Sequence, residues 1–333
     1  MAYHVAIVGA TGAVGTEFLT LLAERNFPIS KLTLLASERS AGKTLEFRGE
    51  PVTVQALRPE SFEGVEIAFF SAGASHSREY APYAVQAGAI VVDNSSAFRQ
   101  DPEVPLVIPE INPEAVQRHR AIIANPNCST IIMLMALEPL RRLTRIRRII
   151  VATYQSASGA GAQAMQELID STHAFLYGEP YEPKVLQHPY AFNLFSHNSP
   201  IGEDGYNEEE RKMVLETRKI WNDPTVAVVP TCVRVPVLRA HSEAIVAEVE
   251  ERPPLEALYE AYHQFSGVRV IDERDRNYFP MPLEATGRDE VLVGRIRYAL
   301  DMPNGVALFA SGDQLRKGAA LNAIQIAEYL IRS

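Results

Sequence analysis

Cys128 sits in Ala124-Asn125-Pro126-Asn127-Cys128-Ser129-Thr130, between a short apolar strand and an apolar stretch with helical character. A cysteine at a helix N-terminus has its thiolate stabilised by the helix dipole and the N–H groups of the first turn. The same donors could hold the oxyanion of a tetrahedral intermediate, and Pro126 fixes the turn that presents the sulfur. The other reading of Cys128 is a small buried residue ahead of a core helix, since thiols are commonly buried. The second cysteine, Cys232, lies in the apolar stretch Val228-Val229-Pro230-Thr231-Cys232-Val233 and is expected in the core. Two cysteines are too few for a thiolate zinc site, and no metal is expected.

A second constellation points to a nucleotide. Residues 4–8 form an apolar strand that runs into Gly9-Ala10-Thr11-Gly12-Ala13-Val14-Gly15. Strand, glycine-rich turn and helix start, in that order, make a dinucleotide phosphate site: the backbone approaches the pyrophosphate closely and the helix N-terminus supplies N–H donors. Gly9, Thr11, Gly12, Ala13 and Val14 are the candidate contacts. The alternative is a left-handed turn whose glycines serve packing alone. NAD-selective sites place an acidic residue at the end of the second strand to hold the ribose hydroxyl. Here that strand ends Ala36-Ser37-Glu38-Arg39-Ser40-Ala41-Gly42. Arg39 with Ser37 and Ser40 suits a 2′-phosphate and hence NADP, while Glu38 keeps NAD open.

These residues need elements to position them. Residues 4–8, 32–36, 66–70, 89–92 and 122–124 read as short apolar strands, alternating with helices over 14–24 and 80–87. That pattern predicts a parallel sheet covered on both faces. After an apolar helix over 131–140 the strands lengthen, over 149–154, 227–234, 244–249, 291–297 and 306–310. Helices over 162–176, 255–265 and 319–330 accompany them, which suits an α+β domain with a larger sheet. Residues 177–207, rich in Pro, Tyr, His, Asn and Gly, read as a long surface excursion of functional or interface-forming kind.

A chain of 333 residues accommodates two domains, and 47% hydrophobic with 22% charged residues is ordinary for a soluble globular protein. A net charge of −9 argues against nucleic acid as the main partner. No apolar run approaches the ~20 residues that span a bilayer, and no signal-peptide pattern opens the sequence. The expectation is a cytoplasmic protein in a compartment that disfavours a disulfide.

Taken in order, Gly9 to Gly15, Asp93-Asn94-Ser95-Ser96-Ala97-Phe98-Arg99, Asn125 to Thr130, Tyr154-Gln155-Ser156-Ala157-Ser158-Gly159, Arg234 through His241-Ser242, and Gly312-Asp313-Gln314 resemble the motifs of the aspartate-semialdehyde dehydrogenase family. The resemblance runs from residue 4 to about residue 330. It implies an α/β fold: a Rossmann-type dinucleotide-binding domain, 1–127 with 314–333, and an α+β catalytic and dimerisation domain of the glyceraldehyde-3-phosphate dehydrogenase-like kind, 128–313. It further implies a homodimer or homotetramer that binds NADP. The implied reaction is reductive dephosphorylation of L-4-aspartyl phosphate to L-aspartate 4-semialdehyde, in lysine, threonine and methionine biosynthesis.

By similarity Cys128 is the nucleophile that forms a thioester, His241 the acid/base group and Gln155 the residue that orients the acyl group. Arg234 matches the arginine that grips the substrate α-carboxylate, as a planar bidentate donor can. Glu209 matches the carboxylate facing the substrate ammonium. Arg99 and Lys212 match the phosphate-binding pair. Glu209 and Lys212, three apart on an expected helix, share a face; a solvated charge run is the rival reading, given Glu208, Glu210 and Arg211. Ser158, Gly159 and Gln314 match positions near the nicotinamide. N-acetyl-glutamyl-phosphate reductases usually carry a glycine before the cysteine and an aromatic after it, where this chain has Asn127 and Ser129. A CoA-thioester reductase on the same scaffold should lack one of the two phosphate cations.

Overall fold

The apolar runs fall where a sheet covered on both faces needs them. A computed structural model describes residues 2–332, and the chain divides into two units, Met1–Asn127 with Gly318–Ser333, and Cys128–Lys317. The first unit runs β1 (Tyr3–Val8), α1 (Ala13–Glu24), β2 (Ile29–Ala36), β3 (Thr44–Phe47), β4 (Glu50–Ala56), β5 (Ile67–Phe70), α2 (Ala74–Gln86), β6 (Ile90–Asp93) and β7 (Ile122–Ala124). Its seven-stranded sheet has the order β3-β4-β2-β1-β5-β6-β7. Every pairing is parallel except the β3–β4 hairpin at the edge. Strand β1 is central, and Val5 to Val8 are fully buried, which explains an uninterrupted apolar run rather than an alternating one. Phe18, Leu21 and Leu22 of α1 pack on one face with Ile7 and Phe69; Ala81 and Ala84 of α2 pack on the other with Ala68 and Phe70.

The second unit opens with α3 (Cys128–Leu143), β8 (Ile146–Gln155) and α4 (Ala162–Tyr177). It continues through β9 (Phe195–Ser196), α5 (Glu208–Trp221), β10 (Ala227–Arg234), β11 (His241–Val249), α6 (Leu255–Gln264), β12 (Val268–Val270), α7 (Pro282–Ala285), β13 (Val291–Tyr298) and β14 (Gly305–Gly312). These strands form one mixed sheet in the order β12-β13-β14-β11-β8-β10-β9. Helix α3 is buried from Ser129 to Leu140, and its run from Ile131 to Leu137 is apolar all round, as suits a helix covered on every side. After β14 a π-helical turn, Arg316–Ala320, leads into α8 (Leu321–Arg332), whose Ile324 and Ala327 join the first unit's core.

Several elements differ from the sequence reading. The β3–β4 hairpin and the short strands β9 and β12 were not expected, and α2 begins at Ala74 rather than at residue 80. The excursion over 177–207 starts at Tyr177, the last residue of α4, contains no helix beyond it, and folds back onto α4. There the Glu167 carboxylate accepts the backbone N–H groups of Lys184, Val185 and Leu186 at 2.5, 2.7 and 2.8 Å. Leu186 and Tyr190 pack with Ala164 and Leu168 of the same helix.

Candidate active site

In the second unit the catalytic candidates converge because their strands are neighbours. Gln155 ends β8 and Arg234 ends β10; the parallel register sets them side by side. Strand β11 runs antiparallel to β8 with Ser242 opposite Tyr154, so His241 enters at the same end of the sheet. All three side chains are buried. Cys128 is the first residue of α3, partly buried and in no disulfide. Its neighbour Ser129 accepts a hydrogen bond from Gln155 Nε2 at 2.9 Å. The same amide lies 3.4 Å from Glu209 Oε1 and 3.3 Å from Thr153 Oγ1. Thus one amide group joins Gln155 to Glu209 and to Ser129, the residue that follows Cys128.

His241 is held in one tautomer. Its Nδ1 accepts the Ser156 backbone N–H at 3.1 Å and stands 3.0 Å from Ser156 Oγ. A neutral ring with Nδ1 accepting carries its proton on Nε2, and Nε2 is buried with no hydrogen-bond partner among the described residues. The Ser156 hydroxyl is 3.0 Å from that of Ser158, which in turn accepts from Gln314 Nε2. Gln314 Oε1 accepts the Ala240 N–H at 3.0 Å, closing the loop one residue before His241. Burial and then the Arg234 cation hold the imidazole well below its usual range, and Glu209 acts against them.

Arg234 is fixed on three of its donors: Nε to Asn198 Oδ1 at 3.1 Å, Nη1 to the Ser156 carbonyl at 3.0 Å and Nη2 to His197 Nε2 at 2.9 Å. One N–H on each terminal nitrogen is left over, the fork that suits a carboxylate. Burial lowers its pKa, against Tyr190, Glu209 and Cys128; a guanidinium stays a cation regardless. Gly159 shows how close these groups lie. A Cβ there would come within 2.8 Å of the His241 ring and 2.9 Å of Arg234 Nη1, so only glycine fits.

Glu209 and Lys212 stand in the first turns of α5, with Oε2 and Nζ 3.4 Å apart. That helix start is firmly built. Asn207 and Glu210 form a capping box, and Glu210 Oε1 also accepts the Cys232 N–H at 3.0 Å. Cys232 itself is buried, with Sγ 3.6 Å from Met213 Sδ, and burial pushes its thiol far up.

In the first unit, Gly9 has a φ of 90°, and a Cβ on it would lie 2.6 Å from the Ser71 carbonyl oxygen. A Cβ on Gly15 would lie 2.2 Å from the Gly9 oxygen. The turn is therefore closed to any larger residue, and α1 begins at Ala13 with Gly12 as its cap. Thr11 Oγ1 is 3.5 Å from Ser40 Oγ, which ties the glycine turn to the end of β2. Ser37 and Arg39 there are exposed, while Glu38 pairs with Arg58 at 2.9 Å. The cradle fits a dinucleotide phosphate. Arg99 is buried, with Nε and Nη2 each 2.9 Å from the carbonyls of Asn125 and Asn94.

The family is decided by comparison with known proteins. The model for the semialdehyde dehydrogenase NAD binding domain matches residues 4–119, and that for the semialdehyde dehydrogenase dimerisation domain matches residues 137–317. An aspartate-semialdehyde dehydrogenase of Synechocystis is 57% identical over 328 residues, covering 98% of this chain and 97% of the relative. The chain belongs to the aspartate-semialdehyde dehydrogenase family. Another member, from Aquifex aeolicus, is 51% identical over 100% of this chain and 99% of its own. Among solved structures, an aspartate semialdehyde dehydrogenase II of Vibrio cholerae complexed with ASA superposes with a TM-score of 0.96 at 47% identity, covering 100% and 99% of the two chains. As in this family, the first unit is a nucleotide cofactor-binding domain and the protein is an oxidoreductase.

Sequence reasoning missed His197, Asn198, Ser156 and Ser129. The only signal for the first two was the polar composition of the excursion. Among the described residues no helix is long and apolar enough to cross a membrane, and no cluster of three His, Cys, Asp or Glu side chains is placed to hold a metal.

Proposed function

We propose that the chain is an NADP-dependent aspartate-semialdehyde dehydrogenase that reductively dephosphorylates L-4-aspartyl phosphate through a thioester on Cys128. The observation that carries this reading is the meeting of Gln155, Arg234 and His241 at one end of a sheet, with Gln155 bonded to the residue beside Cys128. The Cys128 thiolate attacks the acyl carbon, the tetrahedral oxyanion collapses, and phosphate leaves as the thioester forms. Arg99 and Lys212 are the cations assigned to that phosphate. Gln155 orients the acyl group, Arg234 holds the α-carboxylate and Glu209 faces the ammonium. When bound, NADPH supplies the hydride that reduces the thioester. His241, neutral with its proton on Nε2, donates a hydrogen bond to the oxygen that gains charge as hydride arrives, and the oxyanion then collapses to the carbonyl as Cys128 departs as thiolate, so the ring keeps its proton. The products are L-aspartate 4-semialdehyde, NADP and phosphate, a step toward lysine, threonine and methionine.

The Gly9–Gly15 turn, with Thr11, Gly12, Ala13 and Val14, is assigned to the pyrophosphate. Ser37, Arg39 and Ser40 are assigned to the 2′-phosphate, and Ser158, Gly159 and Gln314 to the nicotinamide end. What supports NADP over NAD is that Arg39 stands exposed at the end of β2, beside a Glu38 that is also exposed and pairs with Arg58 at the surface. Two cysteines, neither in a disulfide, fit a reducing cytoplasm.

The test is phosphate-dependent oxidation of L-aspartate 4-semialdehyde, read as nucleotide reduction. Cys128→Ser should abolish turnover yet keep NADP binding, because a hydroxyl without a tuned base is a far weaker nucleophile. Turnover within about tenfold of the parent would sink the nucleophile assignment. Arg39→Ala should narrow the preference for NADP over NAD; an unchanged preference moves 2′-phosphate recognition to another residue.

A further inference from the structure

The excursion reaches the site through three consecutive residues. Strand β9 pairs antiparallel with the end of β10, Phe195 opposite Arg234 and Ser196 opposite Val233, and the His197 N–H continues the ladder to the Cys232 carbonyl at 2.9 Å. That pairing delivers His197 Nε2 and Asn198 Oδ1 to the Arg234 guanidinium at 2.9 and 3.1 Å. A guanidinium has only donors, so His197 Nε2 must accept and the ring proton must sit on Nδ1. From there it donates to Ser199 Oγ at 3.0 Å. The Ser199 N–H, 3.2 Å from the same Nδ1, then faces a protonated nitrogen and is no hydrogen bond. Ser199 Oγ also accepts the Glu209 N–H at 3.2 Å. One tripeptide therefore touches both the arginine and the start of α5, where the carboxylate stands.

We propose that His197 and Asn198 are positioning residues for Arg234, and that with Ser199 they set the Arg234 fork and Glu209 in the relative placement that receives the carboxylate and ammonium of an α-amino acid. This deepens the reading of Arg234 as the carboxylate-binding group and rests on it. A loose arginine could reach a carboxylate in many poses; held on its Nε edge and on one side of each terminal nitrogen, it offers a single fork. His197 serves this only when neutral. Burial holds it down to about 4, with the Arg234 and Lys212 cations adding to the effect and Glu209 opposing it, so acceptance at Nε2 persists at neutral pH.

The experiment compares His197→Leu, His197→Gln, Arg234→Lys and the double variant His197→Leu/Arg234→Lys in phosphate-dependent oxidation of L-aspartate 4-semialdehyde. Glutamine presents a carbonyl oxygen where Nε2 stands, whereas leucine presents nothing. Leucine should raise KM for the semialdehyde about tenfold with kcat within about threefold, and glutamine should return KM to within about threefold of the parent. The double variant should have the KM of Arg234→Lys alone, because two residues acting through one contact are not additive. An unchanged KM in His197→Leu beside a raised KM in Arg234→Lys overturns the proposal and leaves the role of Arg234 standing. An unchanged KM in Arg234→Lys overturns the carboxylate reading itself. Equal losses in the leucine and glutamine variants, or full additivity in the double variant, assign His197 to packing and overturn the proposal. If leucine prevents folding, His197→Asn, whose amide is too short to reach Arg234, takes its place in the same comparison.

Discussion

Glu243 lies two residues beyond His241 on β11, on the same face of the strand, opposite Thr153 of β8. It is fully buried, and neither carboxyl oxygen has a hydrogen-bond partner among the described residues. Burial, and then the charge of Glu209, push its pKa well above the usual carboxylate value. A carboxyl whose folded pKa is raised stabilises the fold fully below the unfolded pKa and loses that contribution as pH rises. Above pH 4.5 the folded protein must therefore hold a proton that the unfolded chain releases, at about 1.4 kcal/mol per pH unit until the folded pKa is reached. Glu243→Gln, which copies the protonated acid, should melt higher than the parent at pH 8, by roughly 1–2 °C for each kcal/mol recovered in a chain of this length. The gain should vanish as pH approaches 4.5. Melting curves across that range check this; a gain independent of pH would show that the side chain is not titrating against its surroundings. At this scale the sequence was informative about Cys128 and the glycine turn, because strand–turn–helix context is local. It was silent about Glu243 and His197, whose environments are made by strands far apart in the chain.

Among the elements, those with strong local periodicity were legible. Strand β10 was expected over 227–234 and spans Ala227–Arg234. The β3–β4 hairpin was not legible because its turn, Arg48-Gly49, adopts left-handed φ values of 52° and 82° with arginine where asparagine or aspartate would have announced it. Helix α2 was read short because its first turn, Ala74-Ser75-His76-Ser77, is polar and a proline at position 82 usually marks a helix start rather than its middle, although the helix runs unbroken through it here. The excursion was seen, but not that a single carboxylate anchors it. Three backbone N–H groups converge on Glu167, which is itself buried. Glu167→Gln keeps the shape and can satisfy those donors only in part, so it should cost about 1–3 kcal/mol locally. Limited proteolysis should then cut between residues 177 and 207 faster than in the parent, with the His197 contact to Arg234 weakened and KM for the semialdehyde raised. Unchanged cleavage would show that Leu186 and Tyr190 suffice to hold the segment.

For the whole molecule, the sheet of the second unit has one face under α3, α5 and α6 and another that is apolar and open. Ile150 and Tyr154 of β8 and Val229 of β10 are about two-fifths exposed, and Tyr154 contacts Phe309 of β14 with ring centroids 6.3 Å apart. A sheet face of this kind is expected to be covered, and in this family the matching domain is the dimerisation domain. We propose that a second copy of the chain covers it. Tyr154→Asp should convert the dimer to a monomer in sedimentation at micromolar concentration, since a charge placed at the centre of a buried apolar patch is not compensated. A parent that sediments as a monomer would overturn this.

The contrast between the two thiols has a practical consequence. Cys128 is partly accessible at the start of a helix, whereas Cys232 is sealed in β10 against Met213 with its thiol pushed far up. With two cysteines in all, the native enzyme carries its own titration standard. A thiol reagent applied to the folded protein reports the number of chains with a competent nucleophile, and the same reagent after denaturation reports the total. Because denaturation exposes Cys232 as well, the difference between the two counts is the number of chains, and the native count divided by that difference is the fraction that carries a reactive Cys128.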